Sequence, residues 1–314
     1  MGLTVGVDIG GTKIAAGVVD DEGHILQVVT EATPAMDPDA LADAVATGVQ
    51  RLRQDHDIEA VGIGAAGFVD ADRSTVLFAP NIDWEDEPLG VHVSSRVQIP
   101  VVVENDANAA AWGEFRFGAG KDVDDLLLIT VGTGIGGGMV SHGELFRGAH
   151  GVAFEVGHVR VVPAGMRCGC GRYGCWEQYA SGTALVREAQ DRMHSELAEA
   201  ASLAAVVGSD PALVTGPMIT EQARGGDPLC VDLLADVGRW LGEGIASLTA
   251  VLDPSVVAIG GGVAAAGDLL LEPARAGFLH TLPAAAHRTH ATLRLATLGN
   301  EAGLIGAADL ARAR

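Results

Sequence analysis

A run of β-forming residues, a tight glycine turn and a second β-forming run occur twice in this chain, and that duplication restricts the folds open to it. Leu3 to Ile9 passes through Gly10-Gly11-Thr12-Lys13 into Ile14 to Val19. Leu126 to Val131 passes through Gly132-Thr133-Gly134-Ile135-Gly136-Gly137-Gly138 into Met139-Val140 and a further turn at Ser141-His142-Gly143. Strand, glycine turn, strand is a hairpin signature. Two copies about 120 residues apart imply duplicated lobes with a cleft between them, and 314 residues supply two domains of ordinary size.

Between the hairpins, strand and helix patterns alternate, which makes the class α/β. Residues 37–54 place Leu41, Ala44, Val45, Val49 and Leu52 at helical spacing behind Asp37-Pro38. Strand material follows at Ala60 to Ile63 and at Val101 to Val103, and a long helix over about 229–252 stops at Asp253-Pro254. A buried strand, Val256 to Ile259, runs into Gly260-Gly261-Gly262, and an alanine-rich helix occupies 301–314. The expected division is a smaller lobe over 1–115, joined by the helix at 301–314, and a larger lobe over 116–300.

Glycine is in excess, 43 residues against about 22 at average usage. Glycine turns leave backbone N–H groups bare to an anion and allow the positive φ that tight turns need, so phosphate is the expected ligand and the excess should map onto site loops. No Walker A pattern occurs. Gly62-x-Gly64-x-x-Gly67 matches the dinucleotide fingerprint, but the residues after it, Phe68-Val69-Asp70-Ala71-Asp72, do not open a helix, so that reading fails. Twenty basic residues against 41 acidic ones give a net charge of −21, and aromatic residues make only 4%, a poor composition for neutralising phosphates along nucleic acid or stacking bases. No run of about 18 apolar residues and no signal-peptide pattern occurs, so a cytoplasmic protein without a membrane partner is expected. Cys168, Cys170 and Cys175 fall within eight residues, a clustering that suggests a metal before disulfides.

Five motifs together carry a family resemblance. They are Asp8-Ile9-Gly10-Gly11-Thr12-Lys13, Glu104-Asn105-Asp106-Ala107-Asn108-Ala109-Ala110, Thr130 to Gly138, Glu155-x-Gly157-His158, and Cys168-x-Cys170-Gly-x-x-Gly-Cys175-x-Glu177. The chain resembles the repressor/ORF/kinase (ROK) family of sugar kinases, and within it the glucokinases. The resemblance runs from residue 5 to about 182, with Val256 to Gly262 extending it. It implies an actin-like (ribonuclease H-like) two-lobed ATPase fold. Gly10, Gly11, Thr12 and Lys13, with Thr133 and Gly134, would face the phosphates of ATP, Gly261 and Gly262 would line the adenosine, and Asp8 would sit near Mg2+. Asn105, Asp106, Glu155, His158 and Glu177 would hold the sugar, with Asn81 a weaker candidate. Phe154 stands where members usually have glycine. The family is commonly oligomeric, so a dimer or tetramer is expected.

Phosphoryl transfer asks of the protein one well-placed carboxylate to take the proton of the attacking hydroxyl. Asp106 follows the apolar run Val101 to Val103 and opens the helical stretch Ala107 to Gly113, which makes it the expected catalytic base; taken alone it would read as a helix cap. His158, Cys168, Cys170 and Cys175 supply one imidazole and three thiolates, a closed set suited to structural Zn2+. Cys230 reads as an ordinary buried helix residue. The expected reaction is ATP-dependent phosphorylation of glucose at its 6-hydroxyl. The alternatives are a kinase for fructose, N-acetylmannosamine or N-acetylglucosamine, a polyphosphate-dependent glucokinase and a sugar-responsive repressor. Only seven residues precede Asp8, where a repressor's DNA-binding module would stand, and the charge opposes DNA.

Overall fold

Alternate residues of β1 (Leu3–Ile9) go to opposite faces of a sheet, as the two-residue period of a strand requires. Val5, Val7 and Ile9 enter one core, while Thr4, Gly6 and Asp8 turn to the other face. The computed structural model describes residues 2–34, 37–79, 84–195, 200–208 and 210–312.

The chain separates into two compact units. One holds Met1–Leu128, Gly138–Phe154 and Thr297–Arg314; the other holds Ile129–Gly137 and Glu155–Ala296. In the first, β1 is followed by β2 (Lys13–Val19), β3 (Ile25–Ala32), α1 (Pro38–Leu52) and β4 (Ile58–Ala65). A small antiparallel sheet of β5 (Phe68–Val69), β6 (Val76–Ala79) and β7 (Trp84–Glu87) precedes α2 (Leu89–Val97), β8 (Val101–Asn105) and α3 (Asp106–Phe117). The main sheet has the order β3-β2-β1-β4-β8, with β1, β4 and β8 parallel. Asp37 caps α1 by accepting from the Ala40 N–H, with Pro38 in the first turn, and the helix lays Leu41, Val45, Val49 and Leu52 on the sheet.

The other face is covered by α3 and by the C-terminal helix α10 (Ala302–Arg312), which lies directly on the strands. It can do so because β1 and β4 carry glycine beneath it: a Cβ on Gly6 would overlap the Leu304 carbonyl, and one on Gly62 the Ala307 carbonyl. Gly62 is therefore a packing residue inside a strand, which is why the dinucleotide fingerprint is a coincidence here. Two buried carboxylates fasten α3. Glu114 accepts from the N–H groups of Ala119, Thr297 and Leu298, and Asp309 of α10 accepts from Trp112 Nε1 and pairs with Arg116 and Arg312.

The second hairpin is formed by β9 (Leu126–Val131) and β10 (Ile135–Ser141), in a sheet of order β11-β10-β9-β12-β13, where β11 is Glu144–Phe146, β12 Val256–Gly260 and β13 Thr292–Leu295. Its glycine turn is shorter than the sequence suggests. Gly136, Gly137 and Gly138 belong to β10, so the turn itself is Gly132-Thr133-Gly134. The helices of the second unit are α4 (Glu177–Ala180), α5 (Gly182–His194), α6 (Ala201–Val206), α7 (Gly216–Arg224), α8 (Pro228–Leu252) and α9 (Asp268–Thr281). α8 matches the expected long helix; Asp227 caps it, Asp253 ends it in a left-handed conformation, and α4, α5, α7 and α9 pack around it. Cys230 is buried in α8, as expected. Among the described residues no helix is long and apolar enough to cross a membrane.

Candidate active site

In the first unit the register decides where the polar residues go. Ile9 pairs level with Ala65, and Ala65 with Asn105, so three parallel strands end together. Ligands of open α/β sheets bind beyond such carboxyl ends. The turn Gly10-Gly11-Thr12, closed by the Gly10 N–H donating to the Lys13 carbonyl at 3.0 Å, leaves β1 there, and Asp106 leaves β8 there. Neither Gly10 nor Gly11 has positive φ. A Cβ on Gly10 would come within 3.0 Å of the Lys13 carbonyl oxygen, whereas one on Gly11 would meet nothing within 4 Å, so the turn exposes bare backbone at Gly11. Asp8, one pair back from the strand end, is partly buried, and that burial pushes its carboxyl above the ordinary range, with Lys13 offsetting in part.

The cap of α3 is Asn105. Its Oδ1 accepts from the Asn108 N–H at 3.0 Å, while its Nδ2 donates to the Gly67 carbonyl and to Asp106 Oδ1, both at 3.1 Å. Asp106 is thus released from capping duty and stands exposed at the first helical position, its Oδ1 also accepting from the Ala107 N–H at 2.9 Å. These two donors fix the direction of the Asp106 carboxylate at the head of the helix.

The second unit gathers the rest. The Gly132 and Thr133 carbonyls accept from the Gly182 N–H and the Thr183 hydroxyl at 2.8 and 2.7 Å, so the turn is tied to the start of α5, which Ser181 caps. Beside it lies a cavity of about 630 Å³, within the usual size range of ligand sites. Gly132, Thr133 and Gly262 line it, along with Val186, Val214 and Val263 as apolar wall and Thr183, Arg187, Gln190 and Thr215 as polar groups. The N-terminal turns of both α5 and α7 reach its lining, a setting suited to anions. Of the remaining expected residues, Gly261 sits behind the cavity with φ +85° against Val131, where a Cβ would come within 2.5 Å of the carbonyl oxygen. The polar lining on α5 and α7 was missed from sequence; the Ser181-Gly182-Thr183 and Thr215-Gly216-Pro217 cap patterns were the available signal.

Gly134 faces Glu177: a Cβ there would lie 2.5 Å from Oε2. Glu155 and His158 bracket a single 3-10 turn, Val156–His158, whose Gly157 rests on the Ile135 carbonyl. Burial, with the negative charge of Glu177 nearby, raises the Glu155 carboxyl above its ordinary range, and His158 opposes that. His158 Nδ1 is 3.7 Å from Glu177 Oε1 and 3.6 Å from Cys168 Sγ, and the Cys170 and Cys175 sulfurs are 3.7 Å apart. All four ligand atoms lie within 4.8 Å of one another. Zinc bond lengths of about 2.3 Å to sulfur and 2.0 Å to nitrogen give tetrahedron edges of about 3.5–3.8 Å; the His158–Cys168 and Cys170–Cys175 separations lie in that range, so the donor set is compatible with that ion. Trp176, next to Cys175, is buried and donates to the Trp240 carbonyl at 2.9 Å, anchoring the knuckle to α8.

Phe154 adopts φ +71°, a left-handed conformation that favours glycine, and its ring meets Phe146 edge-on at 5.6 Å. Asn81 lies outside the described residues. The described site residues therefore fall into two groups, one in each unit.

The ROK family model matches residues 4–314. A glucokinase of Streptomyces coelicolor is 53% identical over 312 residues, covering 99% of this chain and 98% of that protein. A glucokinase of Halalkalibacterium halodurans is 38% identical, covering 96% and 92%. Among solved structures, a ROK family glucokinase of Streptomyces griseus, crystallised with glucose and AMPPNP, superposes with a TM-score of 0.90 at 54% identity and full coverage of both chains. With the match spanning nearly its whole length and the family's motifs in place, the chain belongs to the ROK family of the actin-like ATPase fold.

Proposed function

We propose that this protein is an ATP-dependent glucokinase, transferring the γ-phosphoryl group of ATP to the 6-hydroxyl of glucose. The observation that carries the chemistry is the register that sets Asp8, the bare turn Gly10–Thr12 and Asp106 at one edge of three parallel strands. The sugar is assigned from full-length identity to glucokinases.

In this reading the Asp106 carboxylate takes the proton of the 6-hydroxyl as its oxygen bonds to the γ-phosphorus; the bond from phosphorus to the β–γ bridging oxygen breaks, and ADP leaves. Gly10, Gly11, Thr12 and Lys13, with Thr133 and Gly134, hold the phosphates through backbone N–H groups and the Lys13 ammonium. Asp8 would sit near a Mg2+ ion that would neutralise phosphate charge, and its burial suits that role because a nearby cation would offset the cost of ionising it. Val186, Val214, Val263 and Gly262 enclose the adenosine, with Gly261 setting the turn, a shelter for which polyphosphate has no use.

Asn105, Glu155, His158 and Glu177 orient the sugar by hydrogen bonds, and Asn81 is assigned to the same task. His158 Nδ1, Cys168, Cys170 and Cys175 would hold a structural zinc, and the other ring nitrogen of His158 would then be left for the substrate. A set of thiols kept reduced for that purpose supports a cytoplasmic location. An ADP-release assay over glucose, fructose, N-acetylmannosamine and N-acetylglucosamine, with ATP or polyphosphate as donor, tests the assignment. Glucose with ATP should give the highest kcat/KM; preference for an N-acetylated sugar or for polyphosphate would overturn it.

A further inference from the structure

The last residue but one of β8, Glu104, carries a carboxylate that is only 1% exposed and is not part of the chemistry described above. Each of its oxygens has a different task. Oε1 accepts from the Asn105 backbone N–H at 3.0 Å and from Asn108 Nδ2 at 3.2 Å. Oε2 faces two guanidinium groups, with Arg147 Nε at 2.8 Å and Arg73 Nε at 3.3 Å.

The arginines are themselves tied down. Arg147 donates to the Asp70 and Ala71 carbonyls at 2.8 and 3.0 Å, and the Arg73 carbonyl accepts from the Val103 N–H in β8 at 2.9 Å. Asp70 in turn accepts from the Ser74 and Thr75 N–H groups. A buried carboxylate keeps its charge only when paired and hydrogen-bonded; here Oε2 is paired by charge with the two guanidinium groups and Oε1 takes the hydrogen bonds, so its position is fixed from two sides. The groups it holds on its other oxygen are the cap residue Asn105 and the capped residue Asn108, and between those two stands Asp106.

We infer that Glu104 is a positioning residue for the phosphoryl transfer, a buried anion clamped by Arg73 and Arg147 that fixes the Asn105–Asp106 corner and so the direction of the Asp106 carboxylate. This rests on Asp106 being the base. Reaction geometry is sensitive to small displacements, since misplacement by about 1 Å can cost about 100-fold in rate. Substrate binding spread over other residues tolerates such a shift better.

The test compares wild type with Glu104→Gln and, separately, Asp106→Asn, all as full-length protein. Glu104→Gln keeps the side chain's size and an oxygen for Asn105 and Asn108 but turns an amide, or a neutral oxygen, toward two arginines. Its kcat at saturating glucose and ATP should fall at least tenfold at a temperature where circular dichroism shows it folded, while the glucose Kd by calorimetry changes less than threefold. An unchanged kcat with only a lowered melting temperature makes Glu104 purely structural and overturns the inference; so does equal loss of kcat and glucose affinity. Asp106→Asn separates the two claims, because substantial turnover in that variant sinks the base assignment whatever Glu104→Gln does. Should Glu104→Gln not fold, Asn108→Ala removes one contact of Oε1 and leaves the ion pairs intact; it should lower kcat about threefold with glucose Kd unmoved, and a wild-type kcat there overturns the inference equally.

Discussion

The two units hold their polar site residues by different physics. In the first, Asp8, Asn105 and Asp106 are held by strand register and a helix cap, with backbone hydrogen bonds fixing each Cα. In the second, Glu155, His158 and Glu177 sit on a single 3-10 turn and a four-residue helix, elements too short to hold themselves, and the four potential metal ligands lie among them. A ladder of main-chain bonds positions residues without help, whereas irregular backbone needs a staple. The contrast teaches that the two halves should fail differently, the first by loss of a single atom and the second by loss of a scaffold.

The sharpest way to break the comparison is at Asp106. Asp106→Asn removes the proposed proton acceptor but keeps a side chain able to accept at Oδ1 from Asn105 and Ala107, so the corner survives. Turnover should drop about 10²- to 10⁴-fold, the usual worth of a positioned base, with glucose affinity and metal content close to wild type. Steady-state kinetics beside calorimetry decides it; retention of most of the turnover would return Asp106 to a purely local role.

Next in size is the staple. Purified protein should contain about one zinc per chain, and Cys168→Ser should lose it along with about 10- to 100-fold in glucose affinity, because Glu177 and His158 both contact Cys168. ATP binding, measured separately, should change little. If a zinc-free preparation kept full glucose affinity, the knuckle would hold itself as well as the sheet edge does, and the contrast between the units would collapse.

Much of this was legible in the sequence because the signals were local. Asp37-Pro38 opened and capped α1 as read, Asp253-Pro254 stopped α8, and the hairpin turns lay where glycine follows a β-run. The metal set could be read because a one-residue spacing brings Cys168 and Cys170 together by itself. What could not be read depends on distant partners. Gly6 and Gly62 are glycine because α10, more than 200 residues later, lies on them, so part of the glycine excess belongs to packing rather than to site loops. Glu104 is in the same position: its arginines come from a loop and from beyond β11, and nothing in the Glu-Asn-Asp triplet announces them. The helix cap, too, falls one residue earlier than Asp106, since register and not residue type chose where β8 ends.

The smallest expected effect lies at Asp8 and concerns stability. Burial raises its carboxyl above the ordinary range, so between the unfolded and folded values the unfolded chain is the more ionised and folding is penalised as pH climbs. Above the folded value the penalty is complete, and at acid pH, with both states protonated, it vanishes. Asp8→Asn removes the ionisable group, so without metal or nucleotide the variant should be more stable than wild type at pH 7 by about 0.5–2 kcal/mol, the usual gain of one stabilising substitution. The advantage should shrink as pH falls toward the ordinary carboxylate range. Mg2+ with an ATP analogue should reverse the order, since cation binding offsets the burial of Asp8 and gives nothing comparable to an amide. Scanning fluorimetry across pH, with and without Mg2+ and nucleotide, reads both effects. An Asp8→Asn variant less stable than wild type in both conditions would mean that the carboxylate is held in place for the fold, and that the sheet edge of the first unit is built without the cost that a waiting metal site imposes.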